Sequence, residues 1–221
     1  MASGAVASRS TPPESLADLL KRLGDISPRR VRMAPAPGTA TAADVLALES
    51  RYNRLFELVD GVLVEKAMGF RESLLAGAIL ELLRLFVRRH KLGIVVGPDG
   101  MMRLSSRLIR IPDVAFVSWS RMPGRKIPKQ PIPRLAPDLA IEVLSQGNTA
   151  KEMAIKRREY FNAGVLRVWE VDPKKRSITV YARPDHGEVF REGQVVDGAP
   201  VLPGFKLSVS ELFGELDQSA D

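Results

Sequence analysis

The sequence predicts one α/β domain, α+β-like in character, in which a mixed β-sheet core is flanked by helices. Short β-rich runs alternate with two helical segments, 72–90 and 149–162. The apolar run 139–144 is joined by the second helix to a further strand, 166–171, through short links, which is the pattern of a crossover unit. A chain of 221 residues is also long enough to bury one core.

The chain is predicted to have four parts. Residues 1–14 are small and polar and read as a flexible leader. Residues 15–54 contain two short amphipathic helices joined by a linker rich in Pro and Gly, and we expect them to be a lid or adaptor. Residues 55–216 form the main domain, with an added β-hairpin at its start, and 217–221 are a tail.

The main domain begins with the hairpin and the first long helix. Two β-rich runs within 55–65 flank Asp60-Gly61, a dipeptide that suits the positive φ angles of a two-residue turn. The apolar residues of the helix 72–90 form one stripe, which consists of Leu74, Leu75, Ala78, Ile79, Leu82, Leu85 and Phe86.

Three strands are predicted next, at 93–96, 101–104 and 112–117. The stretch 120–137 holds five prolines, which exclude a helix or a central strand, so we expect a mobile surface loop. The rest of the chain is predicted to contain a strand, a hairpin and a short helix, at 177–182, 185–187 and 210–216.

Composition limits the classes of function. There are 33 Lys and Arg against 26 Asp and Glu, a formal charge of +7, which favours an acidic partner such as nucleic acid, although short basic clusters are also typical of solvated surfaces. The absence of cysteine excludes disulfides and thiolate-ligated metals. No apolar run approaches the roughly twenty residues that span a bilayer, and no signal peptide is visible, so we expect a cytoplasmic protein without membrane contact.

Two carboxylates stand in apolar strands. Glu142 lies within the run 139–144, and burying a lone carboxylate is costly unless it is paired or binds a metal. Asp113 follows Pro112 and precedes four apolar residues. On neighbouring strands the two could share one divalent cation, and oxygen ligands without Cys favour Mg²⁺ or Mn²⁺. Alternatively, Glu142 faces solvent from an edge strand and Asp113 only starts a strand.

Lys156 is the candidate third member of this group. It lies 14 residues after Glu142, in the helix that crosses back over the sheet. A lysine there could reach the strand end, neutralise charge developing on a phosphate, or help to deprotonate water. The alternative is a solvated helix face shared with Lys151, Arg157 and Arg158.

Several ordered segments over about 40–215 resemble the bacterial Uma-type family, whose members are described as putative restriction endonucleases. Three runs carry most of the resemblance, namely Phe56-Glu57-Leu58-Val59-Asp60-Gly61, Ile111-Pro112-Asp113-Val114-Ala115-Phe116-Val117 and Ala136-Pro137-Asp138-Leu139-Ala140-Ile141-Glu142-Val143-Leu144-Ser145. The order continues through Lys156, Tyr160, Ala163-Gly164-Val165, Val168-Trp169, Val171-Asp172-Pro173, Val180-Tyr181, Pro203-Gly204-Phe205 and Leu212-Phe213.

The resemblance implies the PD-(D/E)XK superfamily, with a restriction-endonuclease-like mixed sheet flanked by helices and a metal-dependent phosphodiesterase site. It implies that Asp113 stands at the motif aspartate and Glu142 at the motif acid. Leu144 occupies the place of the usual motif lysine. Lys156 matches a lysine that the family carries on the following helix.

The resemblance also suggests a further acidic residue. Superfamily members often take one from the first core helix, for which Glu72 is the best candidate, and Glu57 in the hairpin is the alternative. The chain departs from most relatives in two places, where Arg71-Glu72-Ser73 replaces a segment with a histidine and Gln146 replaces a proline. We interpret both as subfamily differences.

The implied function is that of an endonuclease that uses Mg²⁺ or Mn²⁺ and cuts nucleic acid, with DNA as the expected substrate. Asp113 and Glu142 would hold the ion with the carbonyl of Val143 as a further ligand, while Lys156 would orient water or stabilise phosphate charge. Basic residues of the proline-rich loop and the second helix are candidates for binding backbone phosphates, namely Arg121, Arg125, Lys126, Lys129, Arg134 and Lys151.

Two other functions stay open at this point. A catalytically silent nuclease-like scaffold would bind nucleic acid or a protein partner without cutting. An interaction protein would use the Leu-rich helix 72–90 as a homodimer face, and a molecular size that depends on concentration, without metal-dependent activity, would favour it.

Overall fold

The computed structural model describes residues 15–67 and 69–219, so the predicted leader 1–14 and the last two residues of the predicted tail lie outside the described residues. The helices are α1 (Leu16–Arg22), α2 (Ala42–Tyr52), α3 (Phe70–His90), α4 (Ala150–Asn162) and α5 (Val209–Gly214). The strands are β1 (Val31–Arg32), β2 (Phe56–Val59), β3 (Val62–Glu65), β4 (Gly93–Val96), β5 (Met102–Ser105), β6 (Leu108–Arg110), β7 (Val114–Ser118), β8 (Leu139–Val143), β9 (Arg167–Asp172), β10 (Ser177–Arg183), β11 (His186–Arg191), β12 (Val195–Asp197) and β13 (Lys206–Ser208).

Six strands form the larger sheet, in the order β11-β10-β9-β8-β7-β4. The pair β8 and β9 is parallel, and its neighbours in the sheet are antiparallel. The predicted crossover is confirmed, because α4 connects β8 to β9 and parallel neighbours need such a connection.

Strand β8 is covered on both faces, as its apolar sequence predicts. Leu139 and Ile141 pack into the main core with residues of α3 such as Ile79, whereas Ala140 packs with Tyr160 of α4. Because side chains alternate along a strand, Glu142 points to the same face as Ala140, toward α4. The position of the candidate carboxylate is therefore set by the period of the strand.

Five strands form a second sheet, in the order β1-β3-β2-β6-β5. The hairpin β2–β3 is confirmed, and its turn places Asp60 at φ 49° and Gly61 at φ 80°. Helix α1 packs on this sheet through Leu19 and Leu23, and α2 packs on it through Val45. The segment 15–54 thus covers the second sheet.

The strands between α3 and α4 divide between the two sheets, a difference from the prediction. No strand was predicted between 104 and 112, but the chain turns back at Ser106-Arg107 and forms β6, which pairs with β5. Strand β6 escaped prediction because its three residues are too few to show a period.

The proline-rich loop contains neither α-helix nor β-strand, as predicted. Two short 3₁₀ turns occur at Trp119–Arg121 and Pro123–Arg125. Three apolar side chains, those of Met122, Ile132 and Leu135, are nevertheless buried and hold the loop against the protein. Among the described helices, none combines the length and apolar character needed to cross a bilayer.

Candidate active site

Asp113 and Glu142 lie side by side in the larger sheet. Val114 of β7 pairs with Ile141 of β8, and the N–H of Asp113 donates to the carbonyl of Ile141 at 3.0 Å. Asp113 and Glu142 are each 4% exposed. Strand β8 lies between β7 and β9, so the alternative that Glu142 faces solvent from an edge strand is wrong.

Both oxygens of the Asp113 carboxylate have partners. Oδ2 accepts a hydrogen bond from the N–H of Val143 at 2.7 Å, and Oδ1 lies 2.9 Å from Nζ of Lys66. The side chain of Lys66 is buried and also donates to the carbonyl of Pro98 at 2.9 Å. Because Lys66 directly follows β3, it connects the second sheet to this carboxylate.

Helix α4 holds the Glu142 carboxylate. Oε2 of Glu142 lies 3.1 Å from Nζ of Lys156, and Oε1 accepts a hydrogen bond from the hydroxyl of Tyr160 at 2.6 Å. Lys156 and Tyr160 are four residues apart, so they lie on the same face of the helix.

Lys156 is shared between the two sheets. Its Nζ also lies 3.3 Å from Oε1 of Glu57, a fully buried residue of β2. With 3% of its surface exposed, Lys156 is not part of a solvated helix face, so that alternative is wrong.

Arg110 neutralises the other side of Glu57. Its guanidinium donates to Oε2 of Glu57 at 2.6 Å, and its Nε donates to Glu159 at 2.8 Å. Oε1 of Glu57 further accepts a hydrogen bond from the N–H of Ile111 at 3.1 Å. Glu57 is therefore held by two cations and one backbone donor.

The two glutamates that share Lys156 differ in pKa. Burial alone would raise the pKa of both. At Glu57 the charges of Lys156 and Arg110 outweigh burial and lower the pKa to about 2. At Glu142 burial, together with the charges of Asp113 and Glu57, outweighs Lys156 and raises the pKa to about 7. Neighbouring acids with divergent pKa values occur at catalytic sites and also in structural ion-pair networks.

The cluster has more acidic than basic groups, since four carboxylates face three cations. The acids are Glu57, Asp113, Glu142 and Glu159, and the cations are Lys66, Arg110 and Lys156. The excess of negative charge and the carboxylate oxygen donors suit a hard divalent cation. Within residues 15–67 and 69–219, no three acidic, His or Cys side chains are grouped so that they could hold a metal ion. Mg²⁺ commonly binds one or two carboxylates plus water and substrate phosphate, so the pair Asp113 and Glu142 fits it.

Within the described residues, Glu72 is not grouped with Asp113 and Glu142 as a third metal ligand. It is half-buried in the first turn of α3, with its carboxylate next to Gly69 at the helix start. In the described part of the chain it forms no hydrogen bond or ion pair with Asp113, Glu142 or Lys156. Of the two additional acids considered from the sequence, the structure brings only Glu57 to the shared lysine.

The basic residues predicted to bind phosphate differ in their surroundings. Arg121 pairs with Asp138 at 3.0 Å and donates to the carbonyl of Gly164 at 2.6 Å, while Lys151 is exposed and pairs with Asp25. The others are exposed, namely Arg125, Lys126, Lys129 and Arg134.

Four residues of the cluster were not predicted from the sequence as site residues, namely Lys66, Arg110, Glu159 and Tyr160. Lys66 and Arg110 contact acids 47 and 53 residues away, and no local pattern indicates such contacts. Tyr160 had a usable signal, since it stands one helical turn after Lys156.

Comparison with known proteins identifies the group to which this architecture is related. The family model described as "Putative restriction endonuclease", named Uma2, matches residues 42–210. A crystal structure from Anabaena variabilis ATCC 29413, described as a putative nuclease belonging to DUF820, matches with a TM-score of 0.67 and 22% identity, over 80% of this chain and 98% of that chain. At this identity the match shows a common fold and confirms the predicted fold class. No curated protein matches the chain.

Proposed function

The chain belongs to the Uma2 putative restriction endonuclease family, and we propose that it is a nuclease that hydrolyses phosphodiester bonds of DNA in a metal-dependent reaction. One observation carries the proposal beyond the family. Asp113, Glu142 and Lys156, which are distant in the sequence, form one buried group with an excess of carboxylates. Buried charges of this kind are costly for stability, so they are more readily explained by a functional role.

Asp113 and Glu142 are the residues that would hold the ion, with the backbone carbonyl of Val143 as a further ligand. The donor chemistry suits Mg²⁺ or Mn²⁺. When bound, such an ion polarises a phosphate and makes a bound water more acidic.

The protein's own groups fix the carboxylates in place. The N–H of Val143 and Lys66 orient Asp113, while Tyr160 and Lys156 orient Glu142. Because these donors are buried and already positioned, little reorganisation is needed during reaction. We propose that the ammonium of Lys156 also stabilises negative charge that develops on the phosphate.

DNA is the proposed substrate class because the chain has a formal charge of +7 and the proline-rich loop exposes several cations. Arg125, Lys126, Lys129 and Arg134 are free of carboxylate partners within the described residues, so they are the better candidates for phosphate contacts. Arg121 would first have to leave Asp138. A cytoplasmic location remains part of the same proposal.

The test is cleavage of plasmid and single-stranded DNA with Mg²⁺ or Mn²⁺, compared with chelator. We expect Asp113→Asn, Glu142→Gln and Lys156→Met to lose roughly a hundredfold or more in rate, as expected for loss of buried electrostatic groups. Circular dichroism at the assay temperature establishes that each variant is folded.

Glu170→Gln is the matched control. Glu170 is the direct neighbour of Glu142 across β8 and β9 and is also buried, but it pairs with Arg157 at 2.6 Å. We expect this variant to retain cleavage. Equal activity in all variants would place the hydrolysis elsewhere, and inactivity of the wild type with every metal and substrate would favour the silent scaffold.

A second function is favoured by one surface of α3. Phe70, Leu74, Leu82 and Leu85 are exposed on this helix, and Phe70 is 87% exposed. An exposed apolar strip of this kind is typical of protein interfaces. Sedimentation at increasing protein concentration tests whether it forms a homodimer, a result that is compatible with nuclease activity.

A further inference from the structure

The second sheet carries a cleft that is separate from the carboxylate cluster. It is lined by Arg29, Arg30, Val31, Arg32, Met33, Arg54, Phe56 and Glu65. Its volume of about 260 Å³ is below the roughly 300–1,000 Å³ of pockets that enclose small molecules. The cleft therefore suits an extended chain that passes over it better than an enclosed ligand.

The charge of the cleft is strongly positive. Arg29 is exposed, and so is Arg51 at the end of α2, which contacts the same Tyr52 ring as Arg32 of the cleft. In the part of the chain that the structure describes, Arg29, Arg32 and Arg51 form no ion pair with a carboxylate. Arg54 pairs with Glu65, so one acid faces several cations. These unpaired arginines leave positive charge available for an anion.

Two aromatic rings hold the arginines in position. The guanidiniums of Arg32 and Arg51 each lie 5.2 Å from the centre of the Tyr52 ring, and Tyr52 is 43% exposed. Arg54 lies 5.9 Å from the centre of Phe56. Contacts of this length fall within the range of cation–π attraction. Of the two rings only Tyr52 is exposed, and arginines beside an exposed aromatic ring are typical of surfaces that bind a nucleic-acid strand.

The cleft is linked to the candidate active site through two neighbouring elements. Glu65 lines the cleft, and the next residue, Lys66, pairs with Asp113. Arg30 donates through Nε to the carbonyl of Glu65 at 3.0 Å and pairs with Glu152 of α4 at 2.8 Å. The cleft and the carboxylate cluster are thus joined by β3 and α4.

We propose that this arginine cleft binds the sugar-phosphate backbone of a nucleic-acid strand and leads it toward the carboxylate cluster. The inference rests on the proposed nuclease function for the identity of the ligand. A phosphodiester chain carries one charge per nucleotide, which suits a surface with several arginines that have no carboxylate partner. The link through Glu65 and Lys66 to Asp113 favours nucleic acid over other anionic partners.

The test is fluorescence anisotropy of labelled single-stranded and duplex DNA with the full chain in chelator, so that binding is measured without cleavage. For Arg29→Glu/Arg51→Glu we expect Kd to rise about tenfold or more, and the slope of log Kd against log salt to fall by about 2. Both side chains are exposed and lack carboxylate partners in the described structure, so the fold should tolerate the change.

The matched control is Arg84→Glu/Arg88→Glu on α3, which changes the net charge equally at two exposed arginines. We expect its Kd to change less than about threefold. An equal loss of DNA affinity in the two double variants would mean that only net charge matters, and it would overturn the proposal that the cleft binds DNA. Absence of DNA binding by the wild type, with binding instead to vesicles that contain phosphatidylserine, would overturn it in favour of a membrane surface.

Tyr52 supplies a second and smaller change. We expect Tyr52→Ala to weaken binding about threefold or more and Tyr52→Phe to restore it, because the ring rather than the hydroxyl contacts the guanidiniums. The same affinity in both variants contradicts the role of the ring.

If the protein binds DNA through the cleft but never cuts it, the proposed nuclease function is contradicted while the proposed role of the cleft is supported. If it cuts DNA and the cleft variants bind DNA with the affinity of the wild type, only the proposed role of the cleft is contradicted.

Discussion

The two large sheets contribute different groups to the candidate site. The six-stranded sheet provides Asp113 and Glu142, whereas the five-stranded sheet provides Glu57 and Arg110. Glu57 and its arginine come from adjacent strands of one sheet, so this acid has its own cation, and its pKa is lowered to about 2. Glu142 has no such cation in its own sheet and depends on helix α4.

We infer from this difference that Glu57 has a structural role and that Glu142 is the acid available for chemistry. Glu57, whose pKa is lowered by Lys156 and Arg110 despite its burial, holds Lys156 from one side. Glu142 lies beside Asp113 with incomplete compensation, and its pKa is raised to about 7 by burial and by neighbouring acids. An undercompensated carboxylate gains most from a bound cation, which agrees with the proposed metal site.

The largest expected effect comes from removing the cation that the sheets share. Lys156→Met leaves the buried carboxylates of Glu57 and Glu142 without their shared ammonium group, so the free energy of unfolding should fall by roughly 3–5 kcal/mol. Urea titration measures this change. Lys151→Met, on the same helix but with a side chain 71% exposed, is the control and should cost at most about 1 kcal/mol. Equal costs would contradict the description of Lys156 as a shared buried cation.

A smaller loss is expected for Arg110→Met, about 3 kcal/mol in unfolding free energy. Glu57 then keeps Lys156, and Glu159 is partly exposed, so each retains some compensation. Combining this variant with Glu57→Gln should cost less than the sum of the two changes, because the second removes the charge that the first leaves unpaired. Additive costs in this double-mutant cycle would show that Arg110 and Glu57 do not interact energetically.

The two glutamates should give opposite dependences of stability on pH. Glu142 has a folded pKa of about 7 against an ordinary value of 4.5, so its stabilising contribution is present below pH 4.5 and is lost as pH rises toward 7. Glu57 has a lowered pKa, so its contribution is present above pH 4.5 and is lost as pH falls toward 2. Urea unfolding of metal-free protein measures the free energy of unfolding at each pH. Its fall between pH 4.5 and pH 7 should disappear in Glu142→Gln, and its fall from pH 4.5 toward pH 2 should disappear in Glu57→Gln. The assignment would be contradicted if Glu57→Gln removed the pH dependence above pH 4.5 and Glu142→Gln removed the dependence below it.

The smallest effect is expected at Glu72. Glu72→Gln removes only a favourable charge from the first turn of α3, which should cost about 0.5 kcal/mol in unfolding free energy and leave cleavage unchanged. Glu57→Gln should instead reduce cleavage at least about tenfold, because Lys156 loses one of its two partners. Loss of activity in Glu72→Gln alone would make Glu72 the additional acid.

Much of the larger sheet was predictable because its signals are local. The apolar run around Glu142 and the helix that follows it specify a strand and a crossover, and the period of two sets the face on which Glu142 lies. Lys156 was identified because the helix must return over the same sheet. These inferences need only residues that are near one another in the sequence.

The second sheet was less predictable because its partners are distant. Strand β6 has three residues, and the contacts of Arg110 and Lys66 join segments about fifty residues apart. The choice between Glu57 and Glu72 likewise depended on how the hairpin packs against α4, which no periodicity reports. Sequence patterns therefore indicated the carboxylates Asp113 and Glu142 and the cation Lys156, but not the cations Lys66 and Arg110.

The most direct test of the metal site is calorimetric titration of Mn²⁺ into the wild type, Asp113→Asn, Glu142→Gln and the Glu170→Gln control. We expect the wild type and Glu170→Gln to bind the ion and both site variants to lose affinity by at least about tenfold. Binding should also release a larger fraction of a proton at pH 6 than at pH 8, because the pKa of Glu142 is about 7. Equal affinity in all four proteins would contradict the assignment of Asp113 and Glu142 as ligands.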